Sequence, residues 1–143
     1  MSKLFIIRGI PGSGKSTFAE HLINKLLRFG YDEQDIVHAE ADMYFIDDAG
    51  NYNFDGSKLA IAHQTCYDKI ENALKANKIA IVSNTFVDAN SVDKYVKLGE
   101  KYDAEITIYR RTAEYKSIHN VPIEVINKMK HNFADVKDEV ILS

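Results

Sequence analysis

The chain has 143 residues, 45% of them hydrophobic and 27% charged, with a formal net charge of -3. That fits one globular domain with a real core and excludes a protein that coats nucleic acid through bulk charge. A single cysteine, Cys66, excludes an internal disulfide and a cysteine-based zinc site, and it points to a reducing compartment.

The first segment, Ser2–Ile7, is apolar, but Arg8 and the glycines after it cut the run far short of a signal peptide or a membrane span. A cytoplasmic protein with no membrane partner is therefore expected. Lys3–Arg8 reads as a buried strand. Phe18, Leu22, Ile23, Leu26 and Leu27 recur at helical spacing and predict a helix from Ser16 to Phe29, closed by Gly30. Asp35–Ala39 reads as a second strand. Glu40–Gly56 is polar and rich in turn residues, with aromatic side chains between them. Ser57 is placed to cap a helix running to Ala76, whose inner face is Leu59, Ala62, Cys66, Ile70 and Ala73 or Leu74.

Lys78–Ser83 predicts another buried strand, Val92–Tyr102 a helix with Val92, Tyr95, Val96 and Tyr102 inward, and Ala104–Tyr109 a further strand. Arg110–Val121 reads as a polar connection. Pro122 suits the first turn of a last helix burying Ile123, Ile126, Met129 and Phe133. Past Phe133 the chain is charged and then apolar, and the pattern does not decide whether it packs. Strands alternating with helices imply a single α/β domain over 1–143, a mostly parallel sheet covered by helices on both faces.

Gly9-Ile10-Pro11-Gly12-Ser13-Gly14-Lys15-Ser16 satisfies every fixed position of G-x-x-x-x-G-K-[ST], between a predicted strand and a predicted helix. This is the phosphate loop of P-loop NTPases. Glycines let the backbone take positive φ and approach phosphate, successive N–H groups form an anion nest, and the helix adds its positive end. The loop assigns nucleotide binding to Gly12, Ser13, Gly14, Lys15, Ser16 and Thr17. Lys15 reaches the β- and γ-phosphates of ATP, and the Ser16 hydroxyl is placed for Mg²⁺.

No N-K-x-D follows either Asn-Lys pair, which argues against a GTPase. Asp47-Asp48-Ala49-Gly50 lies in a polar loop and reads as a turn. The compact chain suits a nucleoside- or nucleotide-kinase-like enzyme better than a motor. A kinase needs a base for the acceptor hydroxyl, and Asp42, just past the second strand, is the candidate. A solvated loop acid or helix cap is the plain alternative. Tyr44, Phe45, Tyr52 and Phe54 suit either a stacking platform or a hairpin packed on the core. His63 and Cys66 fit partly buried and core positions on their helix, Asp55 fits a cap, and Lys128, Lys130 and His131 fit a solvated face.

Four segments occur in a familiar order: Arg8 to Thr17, Ala41-Asp42-Met43-Tyr44, Val82-Ser83-Asn84-Thr85, and His119-Asn120-Val121-Pro122. Together they resemble the P-loop kinase domain of phage polynucleotide 5′-hydroxyl kinase and its single-domain AAA-type ATP-binding relatives, over nearly the whole chain to Phe133. The resemblance implies that Asp42 is the general base and that Arg110–Val121 is a lid over the phosphates. Arg110, Arg111, Lys116 and His119 are then the lid cations, with Arg111 and Lys116 assigned to the nucleotide. Two positions depart from the pattern: Phe45 stands where the family has an acceptor-side arginine, and Asn84 stands where an acid would help hold Mg²⁺. The expected function is transfer of the γ-phosphate of ATP to a hydroxyl, on a nucleic-acid end, on a hydroxymethylated DNA base or on a nucleotide. The alternatives are a small-molecule kinase and an ATPase switch.

Overall fold

A computed structural model describes residues 2–113 and 121–142. Five strands form one parallel sheet: β1 (Lys3–Arg8), β2 (Ile36–Ala39), β3 (Ile79–Asn84), β4 (Glu105–Arg111) and β5 (Glu139–Leu142), in the order β2-β3-β1-β4-β5. The central β1 pairs with β3 from Lys3↔Ile79 to Arg8↔Asn84, and with β4 from Lys3↔Glu105 to Arg8↔Arg110.

Alternation along β1 sends side chains to two cores. Ile7 joins Ala19 and Leu26 of α1 (Lys15–Arg28), together with Ile79 and Ile81. Leu4 and Ile6 point the other way, onto Cys66, Ile70, Ala73 and Leu74 of α2 (Leu59–Lys75) and Val92, Tyr95 and Leu98 of α3 (Ala89–Lys101). Every residue of β3 is buried, as expected for a strand covered on both faces. The fold is thus the α/β arrangement that the alternating pattern implies.

Four local expectations are corrected and one open question is answered. A short 3-10 turn, Glu33–Asp35, precedes β2, so that strand starts at Ile36. Asp55, not Ser57, caps the turn ahead of α2: its side chain accepts the Ser57 amide at 3.0 Å, and Leu59 is exposed. Strand β4 runs two residues further, through Arg111. In α4 (Ile123–Asn132) the apolar stripe covers little: Ile123 is 62% exposed, while Ile126, Met129 and Phe133 are half-buried. The tail does pack, as β5 beside β4. Cys66 is a core residue, receiving weak hydrogen bonds from the Tyr95 hydroxyl at 3.6 Å and the Asn84 amide at 3.7 Å.

Candidate functional site

The carboxyl ends of β1, β2 and β3 meet along one edge of the sheet, where open parallel sheets hold ligands. The phosphate loop leaves β1 there. Its Gly9 amide donates to the Thr85 carbonyl just beyond β3 at 3.2 Å, which joins the loop to the neighbouring strand. A Cβ on Gly9 would run into the Ser13 hydroxyl and come within 2.9 Å of the Arg111 carbonyl, so only glycine fits. Gly12 and Gly14 have φ of 81° and 87°, a region L side chains rarely adopt. The first helix-type bond of α1 runs from the Phe18 amide to the Gly14 carbonyl, and no side chain caps the helix. Its leading amides are therefore open to an anion. The Ser13 hydroxyl is fully buried with no hydrogen-bond partner.

Lys15 opens α1 and its ammonium donates to the Ile10 carbonyl at 3.0 Å, inside the loop. Burial pushes its pKa down to about 8, against the pull of the Glu40 and Asp42 carboxylates. The cation therefore sits desolvated and facing two acids. Asp42 lies in a 3-10 turn, Ala41–Phe45, just past β2. The Tyr52 hydroxyl donates to Asp42 Oδ1 at 3.4 Å, and His63 stands on the exposed side of α2 within electrostatic reach of the same carboxylate.

Sequence reasoning missed Glu40, which ends up against the phosphate loop. The Ser16 hydroxyl donates to Glu40 Oε1 at 2.9 Å, and the Ser83 hydroxyl donates to the same oxygen at 2.8 Å. His38 Nε2 lies 2.7 Å from Ser83 Oγ and 3.3 Å from Glu40 Oε1. Since Ser83 gives its proton to Glu40, its oxygen accepts from His38 in the tautomer that carries hydrogen on Nε2. Burial opposes the Glu40 charge, but the hydrogen bonds from His38, Ser83 and Ser16 outweigh it and hold the carboxyl below its ordinary pKa. No local pattern distinguishes Glu40 from other loop acids; only the pairing of Ala39 with Val82 brings it beside Ser83.

The other expected residues divide. Asn84 is buried as a strut, its Oδ1 accepting the Ala41 amide at 2.8 Å, which pins the start of the Asp42 turn. Phe45 is buried with Ala41 and Ala62 and forms part of the floor of the groove beside it. Tyr44 and Phe54 are exposed and line a groove of about 730 Å³ with Ile46, Asp47, Asp55 and Lys58. Asp47–Asn51 is a tight turn, with Asp47 Oδ1 accepting the Ala49 and Asn51 amides. Arg110 is engaged by Asp135 at 2.6 Å and Glu139 at 3.4 Å. Arg111 packs over the Phe18 ring and lines a small crevice with Ile10, Thr112, Lys130 and Phe133. Lys116 and His119 lie outside the described residues.

Hard oxygen donors suit Mg²⁺, which keeps several waters and takes few protein ligands. The Ser16 hydroxyl with a carboxylate beside it fits that requirement, and the open amides, the buried Ser13 hydroxyl and the desolvated Lys15 fit a polyphosphate. No described helix is long and apolar enough to cross a membrane.

Comparison with known proteins agrees with this geometry. An uncharacterized protein of Pasteurella multocida is 28% identical over 153 residues, covering 99% of this chain and 83% of the relative. A chain of the Pnkp1/Rnl/Hen1 RNA repair complex superposes with a TM-score of 0.60 at 23% identity, over 90% of this chain and 36% of that one. A sugar kinase from a Janibacter species superposes with a TM-score of 0.64 at 13% identity, over 99% of this chain and 85% of that one. At such identities the structures speak for the fold, a P-loop fold that kinases share, which implies a nucleotide at the loop. The AAA domain family pattern matches residues 4–114, well over half of the sequence, and the chain belongs to that family.

Proposed function

We propose that this protein is an ATP-dependent kinase that transfers the γ-phosphate to a hydroxyl on nucleic acid or a nucleotide, acting as one domain over 1–143. One observation carries the reading: the Asp42 carboxylate, past β2, shares the site of the desolvated Lys15 ammonium at the mouth of the phosphate loop.

In the step itself, the acceptor oxygen bonds to the γ-phosphorus while the bond from that phosphorus to the β–γ bridging oxygen breaks. ADP leaves and the acceptor proton passes to Asp42. Tyr52, donating to Asp42 Oδ1, helps hold the carboxylate in position for that proton. Lys15 and the amides of Gly12 to Thr17 hold the phosphates. Ser16 would hold Mg²⁺, which would supply positive charge against the phosphates. Arg111 is assigned to supply positive charge to the transferring group, as is Lys116, which lies outside the described residues. The segment order shared with polynucleotide kinase and the likeness to a chain of an RNA repair complex support a nucleic-acid acceptor.

One observation favours a second reading. The groove that follows the Asp42 turn is lined by Tyr44, Phe45 and Phe54 with two acids, Asp47 and Asp55, and among the described residues Lys58 is its one lining cation. An uncharged nucleoside or sugar suits such a groove better than a phosphodiester strand.

The test is transfer from γ-labelled ATP with Mg²⁺ to 5′-hydroxyl DNA and RNA, hydroxymethyluracil DNA, nucleosides and sugars, with Asp42→Asn alongside. Label in one nucleic acid, lowered about 10²- to 10⁴-fold by Asp42→Asn with ATP affinity kept, is the expected result. Label only in the small molecules establishes the second reading. Free phosphate alone, or full transfer by Asp42→Asn, overturns the assignment.

A further inference from the structure

The metal side of the phosphate loop holds a charged group that the P-loop pattern does not specify. In the sequence the natural place for an acid is the end of β3, and Asn84 occupies it. The structure shows that this amide is already committed, accepting the Ala41 amide at 2.8 Å and donating to Cys66. It brings no charge, and its oxygen is turned to the backbone. The carboxylate that does approach the loop comes from the next strand over. Glu40 follows β2, and three groups converge on one of its oxygens: the hydroxyls of Ser16 and Ser83, and His38 Nε2. Among the described residues its second oxygen, Oε2, has no hydrogen-bond partner.

We infer that Glu40 is the acidic member of the Mg²⁺ site, a positioning residue that fixes the Ser16 hydroxyl and leaves Oε2 for water in the shell of the ion. The direction of the Ser16 hydrogen bond matters here. A hydroxyl that gives its proton to Glu40 turns its lone pairs away from the carboxylate, toward the space where the phosphates lie. This is the arrangement in which an outer carboxylate raises the basicity of an inner ligand. Ser83 and His38 hold the carboxylate in place from behind. Glu40 is not simply the partner of Lys15, because that ammonium donates to the Ile10 carbonyl instead.

The inference rests on the nucleotide-binding reading of the loop but not on the acceptor. Its test therefore uses ADP and metal only, so a failure of phosphoryl transfer leaves it standing. Mn²⁺ binding to the protein–ADP complex is followed by the electron paramagnetic resonance signal of free Mn²⁺. ADP affinity is measured by calorimetry in Mg²⁺ and in EDTA, and fold by urea unfolding. Glu40→Gln is expected to weaken Mn²⁺ binding about 10- to 100-fold and to remove most of the Mg²⁺-dependent gain in ADP affinity. ADP affinity in EDTA should stay the same or tighten, since a negative charge near the phosphates is gone. Ser83→Ala, which keeps the carboxylate but removes a support, should weaken Mn²⁺ binding a few-fold and serves where Glu40→Gln does not fold. Wild-type Mn²⁺ affinity in folded Glu40→Gln, or in Ser83→Ala where that is the variant used, overturns the inference. So does a loss of ADP affinity that is equal in Mg²⁺ and EDTA.

Discussion

Arg8 and Lys15 stand at the two ends of one loop, both cationic and both withdrawn from water, and their surroundings could hardly differ more. Arg8 ends β1 fully buried. Its guanidinium donates to the Phe86 carbonyl from Nε and Nη2 at 3.1 and 2.7 Å, to the Ala134 carbonyl at 2.8 Å and to Glu139 at 2.7 Å, and it lies 4.2 Å from the Phe133 ring centre. Lys15 has three protons to donate and, among the described residues, one hydrogen bond, to Ile10. A buried cation whose donors are all answered within the protein is part of the framework. One whose donors go largely unanswered is held ready for an anion from outside. Arg8 ties the loop's entry strand to the α4–β5 segment, while Lys15 faces the open edge of the sheet.

Substitutions can break or sharpen that contrast. The largest effect is expected from Lys15→Ala, which should lower transfer about 10³-fold while leaving the urea midpoint unchanged or higher, because a desolvated ammonium is removed. Arg8→Met should do the reverse. It removes the nearer cation of the Glu139 carboxylate, which is 5% exposed and is left with Arg110 at 3.4 Å, and it leaves the Phe86 and Ala134 carbonyls without their donor, so it should cost about 3–5 kcal/mol in urea unfolding. Adding Glu139→Gln should restore more than half of that loss. A stable Arg8→Met protein that no longer bound nucleotide would reverse the two roles.

Gly9→Ala is expected to cost about 1–3 kcal/mol through overpacking against Ser13 and the Arg111 carbonyl. It should also reduce ATP affinity in a fluorescence titration, because the loop shifts. The smallest effect is a pH dependence. The Lys15 pKa of about 8 lies below its ordinary 10.5. Between those values the unfolded chain holds more protons than the folded one, so stability from this group rises with pH across that window. Phosphates draw the proton back, so ATP binding should take up a proton above about pH 8 and none at pH 6.5. Calorimetry in buffers of different ionisation enthalpy reads this, and Lys15→Ala should abolish it.

The same two residues show what was legible in the sequence. Lys15 announces itself, because the phosphate loop is a local pattern whose spacing carries its geometry. Helices α1, α2 and α3 and strands β1 to β4 were legible for the same reason, their apolar periods being read within a few turns of chain. Arg8 looked only like the end of an apolar run, since its partners lie 78 to 131 residues away. Glu40 was hidden likewise, because its role depends on β2 pairing with β3. The strand β5 is four residues long with Val140 and Ile141 exposed, so it has no buried stripe to read. The exposed Ile123 shows the opposite failure: an apolar period is no proof that something covers it.

The central position of β1 has a consequence for synthesis. The loop after it is encoded among the first residues of this sequence, yet its shape depends on Thr85 and on the packing of Gly9 against Arg111, and Arg8 depends on Glu139. These contacts span most of the chain, a topology of high contact order that folds slowly. A ribosome-bound fragment carrying the whole phosphate loop but stopping short of β3 cannot fix that loop. Nucleotide binding during translation should therefore report completion of the sheet rather than the emergence of the motif.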